Sequence, residues 1–159
     1  MVFTMKRNLG IGLALGLALV SWSGAALAQR PAAPRTVVEV YKSPTCGCCA
    51  GWVTHLQMAG FTTRVTEMED LSEVKKKNGV PEQTQSCHTA TVDGYVLEGH
   101  VPAADIQRLL KERPTVAGLA VPGMPIGSPG MEVPNVKPQQ FRTLSFTKEG
   151  KLGVFATHN

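Results

Sequence analysis

The sequence has no apolar run long enough to cross a bilayer. The longest run, from Leu9 to Val20, contains only apolar residues and glycine, and it is shorter than the ~20 residues that a transmembrane helix needs. Lys6 and Arg7 precede it and Ala26-Leu27-Ala28 follows it, an arrangement typical of a secretory signal peptide. We therefore predict that residues 1–28 are a signal peptide cleaved after Ala28, which leaves an exported protein without a membrane span.

The sequence also lacks a strong excess of charge. Its 16 Lys and Arg residues outnumber its 12 Asp and Glu residues, which gives a net charge of +4. The predicted signal peptide carries two basic residues and no acidic residue, so 14 basic residues face 12 acidic ones in the mature chain and the net charge falls to +2. This balance does not favour a nucleic-acid partner or an anionic membrane. We interpret the Lys75-Lys76-Lys77 run as the solvated side of a helix.

After a short leader at 29–35, residues 36–159 are predicted to form one domain with no internal repeat. Its elements follow the order strand, helix, strand, short helix, two strands and helix, which matches a thioredoxin-like α/β plan with a mixed sheet and flanking helices. In chain order the predicted elements are a strand at 36–41, a helix at 50–59, a strand at 61–68, a short helix ending at Lys77, a hairpin of 89–92 and 95–98 around Asp93-Gly94, and a helix between Pro102 and Pro114.

The last third of the chain has a different texture. Residues 118–134 are rich in glycine and proline and contain Met124 and Met131, so this Gly/Pro/Met-rich segment is predicted to be a loop without a helix or a central strand. Residues 143–147 and 152–156 flank a polar turn and predict a C-terminal β-hairpin.

Three of the four cysteines fall within four consecutive positions, at Cys46, Cys48 and Cys49. This stretch lies where the first strand passes into the first helix, and the positive end of the helix dipole favours thiolate over thiol there. The fourth, Cys87, is followed directly by His88. In the predicted plan the loop that enters the third strand lies beside the cysteine turn, so Cys87 and His88 can meet the cluster in space.

Thiolates and thioethers are soft ligands that prefer Cu(I), zinc or iron–sulfur clusters to magnesium or calcium. Adjacent Cys48 and Cys49 fit a single zinc tetrahedron poorly and suit several low-coordinate Cu(I) ions better. Two alternatives stay open. Cys46 and Cys49 have the C-x-x-C spacing of thiol-disulfide oxidoreductases, and an exported protein with four cysteines can instead use them as structural disulfides. Three thiols this close in sequence argue against purely structural bridges, because such loops are tiny.

Five segments that include or flank these residues show a similarity to known proteins. The sequence resembles a family of small exported metal-binding proteins that includes the CopG copper-resistance proteins of Gram-negative bacteria. The similarity runs from about Val37 to Ala156, and the segments that carry it are Lys42–Cys49 with Trp52 and His55-Leu56, Ser86–Ala90, Glu98–Ala103, Gly118–Pro125 and Gly127–Glu132.

The resemblance implies a thioredoxin-like periplasmic protein that binds copper in a cysteine-lined cluster and acts in copper tolerance. It assigns metal ligation to Cys46, Cys48, Cys49 and Cys87, and it adds four further candidate ligands, namely His88, His100, Met124 and Met131. Sequestration, transfer to a periplasmic copper chaperone or efflux component, and Cu(I)/Cu(II) interconversion are the functions it leaves open. Zinc and silver stay open as alternative metals. We expect no hydrolase activity, and whether the protein is a copper redox enzyme is left open.

Overall fold

A computed structural model describes residues 1–2 and 36–158, and the features below all lie in residues 36–158. The predicted leader and, beyond its first two residues, the predicted signal peptide lie outside the described residues. The elements are β1 (Val37–Lys42), α1 (Gly47–Met58), β2 (Thr62–Glu67), α2 (Ser72–Lys77), a 3₁₀ turn (Glu82–Thr84), β3 (His88–Val92), β4 (Tyr95–Glu98), α3 (Ala103–Glu112), β5 (Gly118–Ala120), β6 (Phe141–Phe146) and β7 (Leu152–His158).

All seven described strands form one mixed sheet in the order β2-β1-β3-β4-β5-β6-β7. The β1-α1-β2 unit joins two parallel strands, as a helical crossover requires. β3 and β4 form an antiparallel hairpin around Asp93-Gly94, whose two residues both have positive φ, and β6 and β7 form the C-terminal hairpin. The predicted α/β class, with its mixed sheet, flanking helices and terminal hairpin, is confirmed.

Successive side chains of the central strands point to opposite faces of the sheet, and helices pack against both faces. On one face, Trp52 and Leu56 of α1 and Ile106 and Leu109 of α3 pack in a single buried core with Val38, Val40, Ala90, Leu97 and Leu119 of the sheet. On the other face, a smaller cluster contains Val80, Val96, Ala120 and Phe146, and α2 contacts the same face through Lys75. The larger core anchors α1, which carries the cysteine turn.

Two expectations from the sequence are wrong. Residues 118–120 form β5 in the interior of the sheet, although glycine and proline in this region argued against a central strand. Three residues suffice because β4 and β6 supply hydrogen-bonding partners on both sides, so the tertiary context overrides the local composition. Lys75 is not solvated, because its side chain is 9% exposed and is paired with Glu98.

The loop that follows β5 agrees with the sequence: from Val121 to Gln140 no helix or strand is assigned. Within the described part of the chain, no helix has the length and apolarity to cross a membrane.

Candidate metal centre

The cysteine turn is placed by the start of α1. The helix begins at Gly47, three residues earlier than predicted, and Cys46 lies at its N-cap with extended backbone geometry. Cys48 and Cys49 are therefore in the first helical turn, where backbone N–H groups lack helical partners and the helix dipole is positive. The Cys46 N–H donates to the carbonyl of Ser43 (3.2 Å), which closes the turn between β1 and α1. Local structure alone thus gathers three sulfurs at one end of the sheet.

Cys87 completes a group of four sulfurs. It lies in the loop that enters β3, and the ligand atoms of Cys46, Cys48, Cys49 and Cys87 are all within 4.8 Å of one another. The predicted meeting of the two segments is present. Cys46 and Cys49 are joined by a disulfide, whereas Cys48 and Cys87 are free thiols. All four sulfurs can act as thiolate ligands only after this disulfide is reduced.

Cys87 also lies between two imidazole rings. Its Sγ is 3.2 Å from His88 Nδ1 and 3.1 Å from His100 Nε2. His100 Nδ1 donates a hydrogen bond to the carbonyl of Pro129 (2.8 Å), because a carbonyl oxygen can only accept. In a neutral imidazole the proton on Nδ1 leaves a lone pair on Nε2, so His100 presents an acceptor, or a metal ligand, to the sulfur. Cys87, His88 and His100 form a second group of possible ligands that shares Cys87 with the first.

Burial keeps this second group uncharged. Burial, followed by the charge of Cys48, raises the pKa of the Cys87 thiol to about 12. Burial, followed by the charge of His100 and of Lys75, lowers the pKa of His88 to about 3, and burial is also the main cause that lowers the pKa of His100. At neutral pH the three groups are therefore a thiol and two neutral imidazoles. A cation bound here replaces the thiol proton, so metal binding releases a proton.

The inner wall of the site is apolar and aromatic. Trp52 and His88 are fully buried, and their ring centroids are 4.4 Å apart. The Trp52 indole N–H donates to the carbonyl of Val101 (2.8 Å), which satisfies its one polar atom. His88 Nε2 is buried and has no hydrogen-bond partner among the described residues. Trp52 and His88 therefore shield one side of the sulfur group from water.

Acid should destabilise the metal-free protein through His88. Between pH 6.5 and about 3 the unfolded chain binds a proton at this side chain and the native state does not, so the free energy of unfolding falls as the pH drops through this range, by up to about 1.4 kcal/mol per pH unit. Denaturant unfolding at several pH values measures the slope, and His88→Gln should flatten it. The reference is the slope of the wild-type protein, since the other described histidines each have a hydrogen-bonding partner of their own. An equal slope in the His88 variant contradicts this prediction.

The loop after β5 is seated against α1 at Gly130. This glycine has a φ of +85°, and a Cβ there would lie 2.5 Å from the carbonyl oxygen of Cys48 and 2.6 Å from the backbone nitrogen of Trp52. Neither backbone atom can move without shifting the helix that carries the thiols. The neighbouring Pro129 holds His100, so this close contact positions both the helix and a ring nitrogen of the site.

We expect Gly130→Ala to lower the free energy of unfolding by about 2–4 kcal/mol, because it adds both backbone strain and a steric clash. Gly150→Ala is the matched control, since Gly150 has a similar φ of +77° but open space around its Cβ position. The control should lose only the backbone part, about 1 kcal/mol. Chemical denaturation of both variants gives the comparison, and equal losses would show that the contact with α1 is unimportant.

No contact in the described part of the chain joins the two methionines that were candidate ligands to the cysteine sulfurs. Met124 is 51% exposed, and the preceding carbonyl, of Gly123, accepts a hydrogen bond from the Ser86 hydroxyl. Met131 is partly buried and its N–H donates to the carbonyl of Ser128 (2.8 Å). Ligation by either methionine, like that by His88 and His100, stays a prediction.

Sequence reasoning missed a buried ion pair behind the site. Glu98 is fully buried and Lys75 nearly so, and their charged atoms are 2.5 Å apart. A buried carboxylate cannot be identified from sequence without its partner, and this partner lies 23 residues away on α2. In the sequence, Glu98 stands out only as part of a motif, and nothing in the pattern of the lysine run separates Lys75 from Lys76.

The cluster is capable of binding a metal ion, since it offers up to four soft sulfur donors with two nitrogen donors beside them. It is also capable of thiol-disulfide exchange, because it contains both a disulfide and free thiols, with Cys46 Sγ and Cys48 Sγ 3.5 Å apart. Thiolate attack on a neighbouring disulfide sulfur is the elementary step of such exchange.

Comparisons with known proteins show which family the chain belongs to. A family profile described as "Protein of unknown function, DUF411" matches residues 84–131. A search of curated proteins gives no significant match. Two solved structures of a copper resistance protein copG match: Form 2 with 42% identity, a TM-score of 0.74, and coverage of 79% of this chain and 99% of that chain; Form 1 with 42% identity, a TM-score of 0.73, and coverage of 78% and 98%. The resemblance predicted from the sequence is confirmed, and the chain belongs to the CopG copper resistance protein family.

Proposed function

We propose that this protein is an exported, periplasmic copper-binding protein that holds Cu(I) in a multi-copper cluster of Cys46, Cys48, Cys49 and Cys87. The observation that carries the proposal is the approach of all four sulfurs to within 4.8 Å of one another. Thiolates so close together repel one another, and monovalent soft cations compensate their charge while tolerating two or three sulfur ligands each. The copper-resistance proteins of similar structure support copper as the metal.

His100 and His88 extend the donor set. The His100 Nε2 lone pair faces Cys87 Sγ at 3.1 Å, so a copper ion on this sulfur can take a nitrogen ligand without any change of the ring's hydrogen bond to Pro129. Met124 and Met131, which lie in the loop after β5, are proposed as further ligands at the rim of the site. Nitrogen donors accept Cu(II) as well as Cu(I), and this supports interconversion of the two states as well as sequestration or transfer to chaperone or efflux components in copper tolerance.

The test is the copper-to-protein ratio after reduced protein is reconstituted anaerobically with Cu(I). More than one tightly held copper per chain, measured by elemental analysis after desalting, supports the cluster. A ratio near zero rejects it. Parallel loading with zinc and with silver identifies the preferred metal, because a site selected for monovalent soft ions retains silver and releases zinc to a weak chelator.

The Cys46–Cys49 disulfide favours a second candidate, a thiol-disulfide oxidoreductase. A pair that cycles between dithiol and disulfide is what the C-x-x-C spacing supplies. Turnover in an insulin-reduction assay, lost in Cys49→Ser and accompanied by no copper retention, would support this function over the first. The third possibility, a purely structural bridge, would leave the protein inert to a mild dithiol reductant.

A further inference from the structure

Glu98 and Lys75 form a buried ion pair on the face of the sheet opposite the larger core. Lys75 Nζ lies 2.5 Å from Glu98 Oε1, and their side chains are 9% and 0% exposed. A buried ion pair of this kind is weak grounds for stability, because desolvation of both charges offsets most of their attraction. Its place in the structure therefore points to a task other than holding the fold together.

The Glu98 carboxylate binds both ends of the segment that carries Cys87. Oε1 accepts a hydrogen bond from the Ser86 backbone N–H (2.6 Å), and Oε2 accepts one from the Thr89 hydroxyl (2.7 Å). Lys75 donates to the Thr89 hydroxyl as well (3.1 Å). Ser86 and Thr89 are the residues immediately before and after Cys87-His88, so one carboxylate fixes the segment at two points three residues apart.

We call the Glu98–Lys75 pair the clamp. The clamp and the metal ligands lie on opposite sides of the Ser86–Thr89 segment. Thr89 and Glu98 are directly opposed across β3 and β4 and face α2, whereas the His88 ring packs on Trp52 of α1 on the other face. Gly99, the next residue, donates its N–H to the carbonyl of His88 (2.9 Å). A Cβ on Gly99 would lie 2.6 Å from the Ser86 hydroxyl oxygen, so this close approach requires glycine.

We propose that Glu98, whose charge is compensated by Lys75, is a positioning residue that fixes the Ser86–Thr89 segment and so sets the distance of Cys87 Sγ from the other three sulfurs. The inference rests on the proposed copper function, because Cys87 is the ligand being positioned. Without the clamp, Ser86 is still tied to the loop after β5 through its hydroxyl bond to the Gly123 carbonyl, but its backbone is released from the sheet and Cys87 gains freedom. A ligand that must be ordered on binding contributes less affinity than one already held in place.

Two double variants separate positioning from charge and from stability. Glu98→Leu/Lys75→Met replaces the pair by apolar side chains and removes the three hydrogen bonds that the pair makes to the segment. Replacement of a buried pair by apolar residues is often neutral for stability, so this variant should fold while its Cu(I) affinity falls about 10–100-fold, the usual effect of losing a residue that supports a metal ligand. Glu98→Gln/Lys75→Met removes both charges and the Lys75 bond to Thr89, but the amide oxygen of the new side chain can still accept from the Ser86 N–H. Its affinity should stay within about threefold of wild type.

Affinity is measured by competition with a chromophoric Cu(I) chelator, and the alkylation rate of Cys87 in the reduced, metal-free protein is the second readout. The Leu/Met variant should alkylate faster at Cys87 than wild type, while the Gln/Met variant should match wild type. Thr89→Val removes the bonds of Thr89 to Glu98 and Lys75 but keeps the Ser86 bond and both buried charges, and we expect a smaller loss of affinity of about three- to tenfold. It keeps the test decisive if the double variant does not fold. Asp105→Asn is the control for loss of a buried carboxylate, because Asp105 is bonded to Thr143 and His158 and makes no bond to the Ser86–Thr89 segment in the described structure.

Wild-type affinity and alkylation in both the Leu/Met variant and Thr89→Val would overturn the inference. Equal losses in the Leu/Met and Gln/Met variants would also overturn it, since charge and not hydrogen bonding would then matter. If wild-type protein retains no copper at all, the proposed function fails, yet the alkylation rates still decide whether Glu98 positions Cys87. The two failures are therefore distinguishable.

Discussion

Replacement of Cys87 by serine is expected to remove at least one copper ion per chain and to weaken binding of the remaining Cu(I) by more than about 100-fold, which exceeds the usual effect of losing a supporting residue. Cys87 is the one sulfur of the group that comes from outside the cysteine turn. A serine hydroxyl is a hard, protonated donor that soft Cu(I) does not favour, so the variant should retain the fold and lose the ligand.

The measurement is anaerobic reconstitution followed by elemental analysis and chelator competition. Because all four cysteines of the chain belong to the group, no cysteine outside it can serve as a control. The control is instead the thermal unfolding of the metal-free forms, which should agree to within a few degrees since sulfur-to-oxygen replacement changes the side-chain volume little. Unchanged stoichiometry would remove Cys87 from the site.

The oxidised protein is expected to bind far less Cu(I) than the reduced protein. The Cys46–Cys49 disulfide leaves two free thiols, Cys48 and Cys87, and disulfide sulfurs are poor ligands because only the thiolate binds metal well. Reduction returns two thiolates at positions already within 4.8 Å of the other sulfurs. We therefore expect a capacity at or below one copper per chain before reduction and above one after it.

A phosphine reductant that does not hold copper tightly is added, and free thiols and bound copper are counted before and after. The matched control is Cys46→Ser/Cys49→Ser, which cannot form the disulfide. Its capacity should equal that of the oxidised wild type and should not respond to the reductant. If oxidised and reduced wild-type protein hold the same amount of copper, then Cys46 and Cys49 are not ligands, and the site consists of Cys48 and Cys87 with the neighbouring histidines.

The cysteine turn and the two hairpins could be predicted from sequence because their signals are local. β-branched residues at 36–41 followed by a helical period place the thiols between β1 and α1, and Asp93-Gly94 specifies the turn between β3 and β4. The meeting of Cys87 with that turn is a long-range contact, yet it followed from the order of the elements. The predicted strand order therefore located Cys87 beside the cysteine turn, which the spacing of the cysteines in the sequence could not do.

Other features depend on partners that no local pattern names. β5 is three residues long and exists because β4 and β6 flank it. Lys75 is buried because Glu98 lies opposite, and the tautomer of His100 is set by the carbonyl of Pro129, 29 residues away. The state of the sulfurs could not be predicted either, since the sequence Cys46-Gly47-Cys48-Cys49 allows both a disulfide and four thiolates.

The separation of the ligands along the chain has one more consequence. Cys49 and Cys87 are 38 residues apart in sequence, although the Cys49 sulfur lies 3.9 Å from the Cys87 carbonyl oxygen. If copper binds as proposed, a metal ion shared by these two segments is a reversible cross-link that closes a loop containing most of α1, β2, α2 and the 3₁₀ turn, and it stabilises the native chain relative to the unfolded one. Loss of this ion would then lower the free energy of unfolding of this part of the chain, so copper release and loosening of the fold are thermodynamically linked.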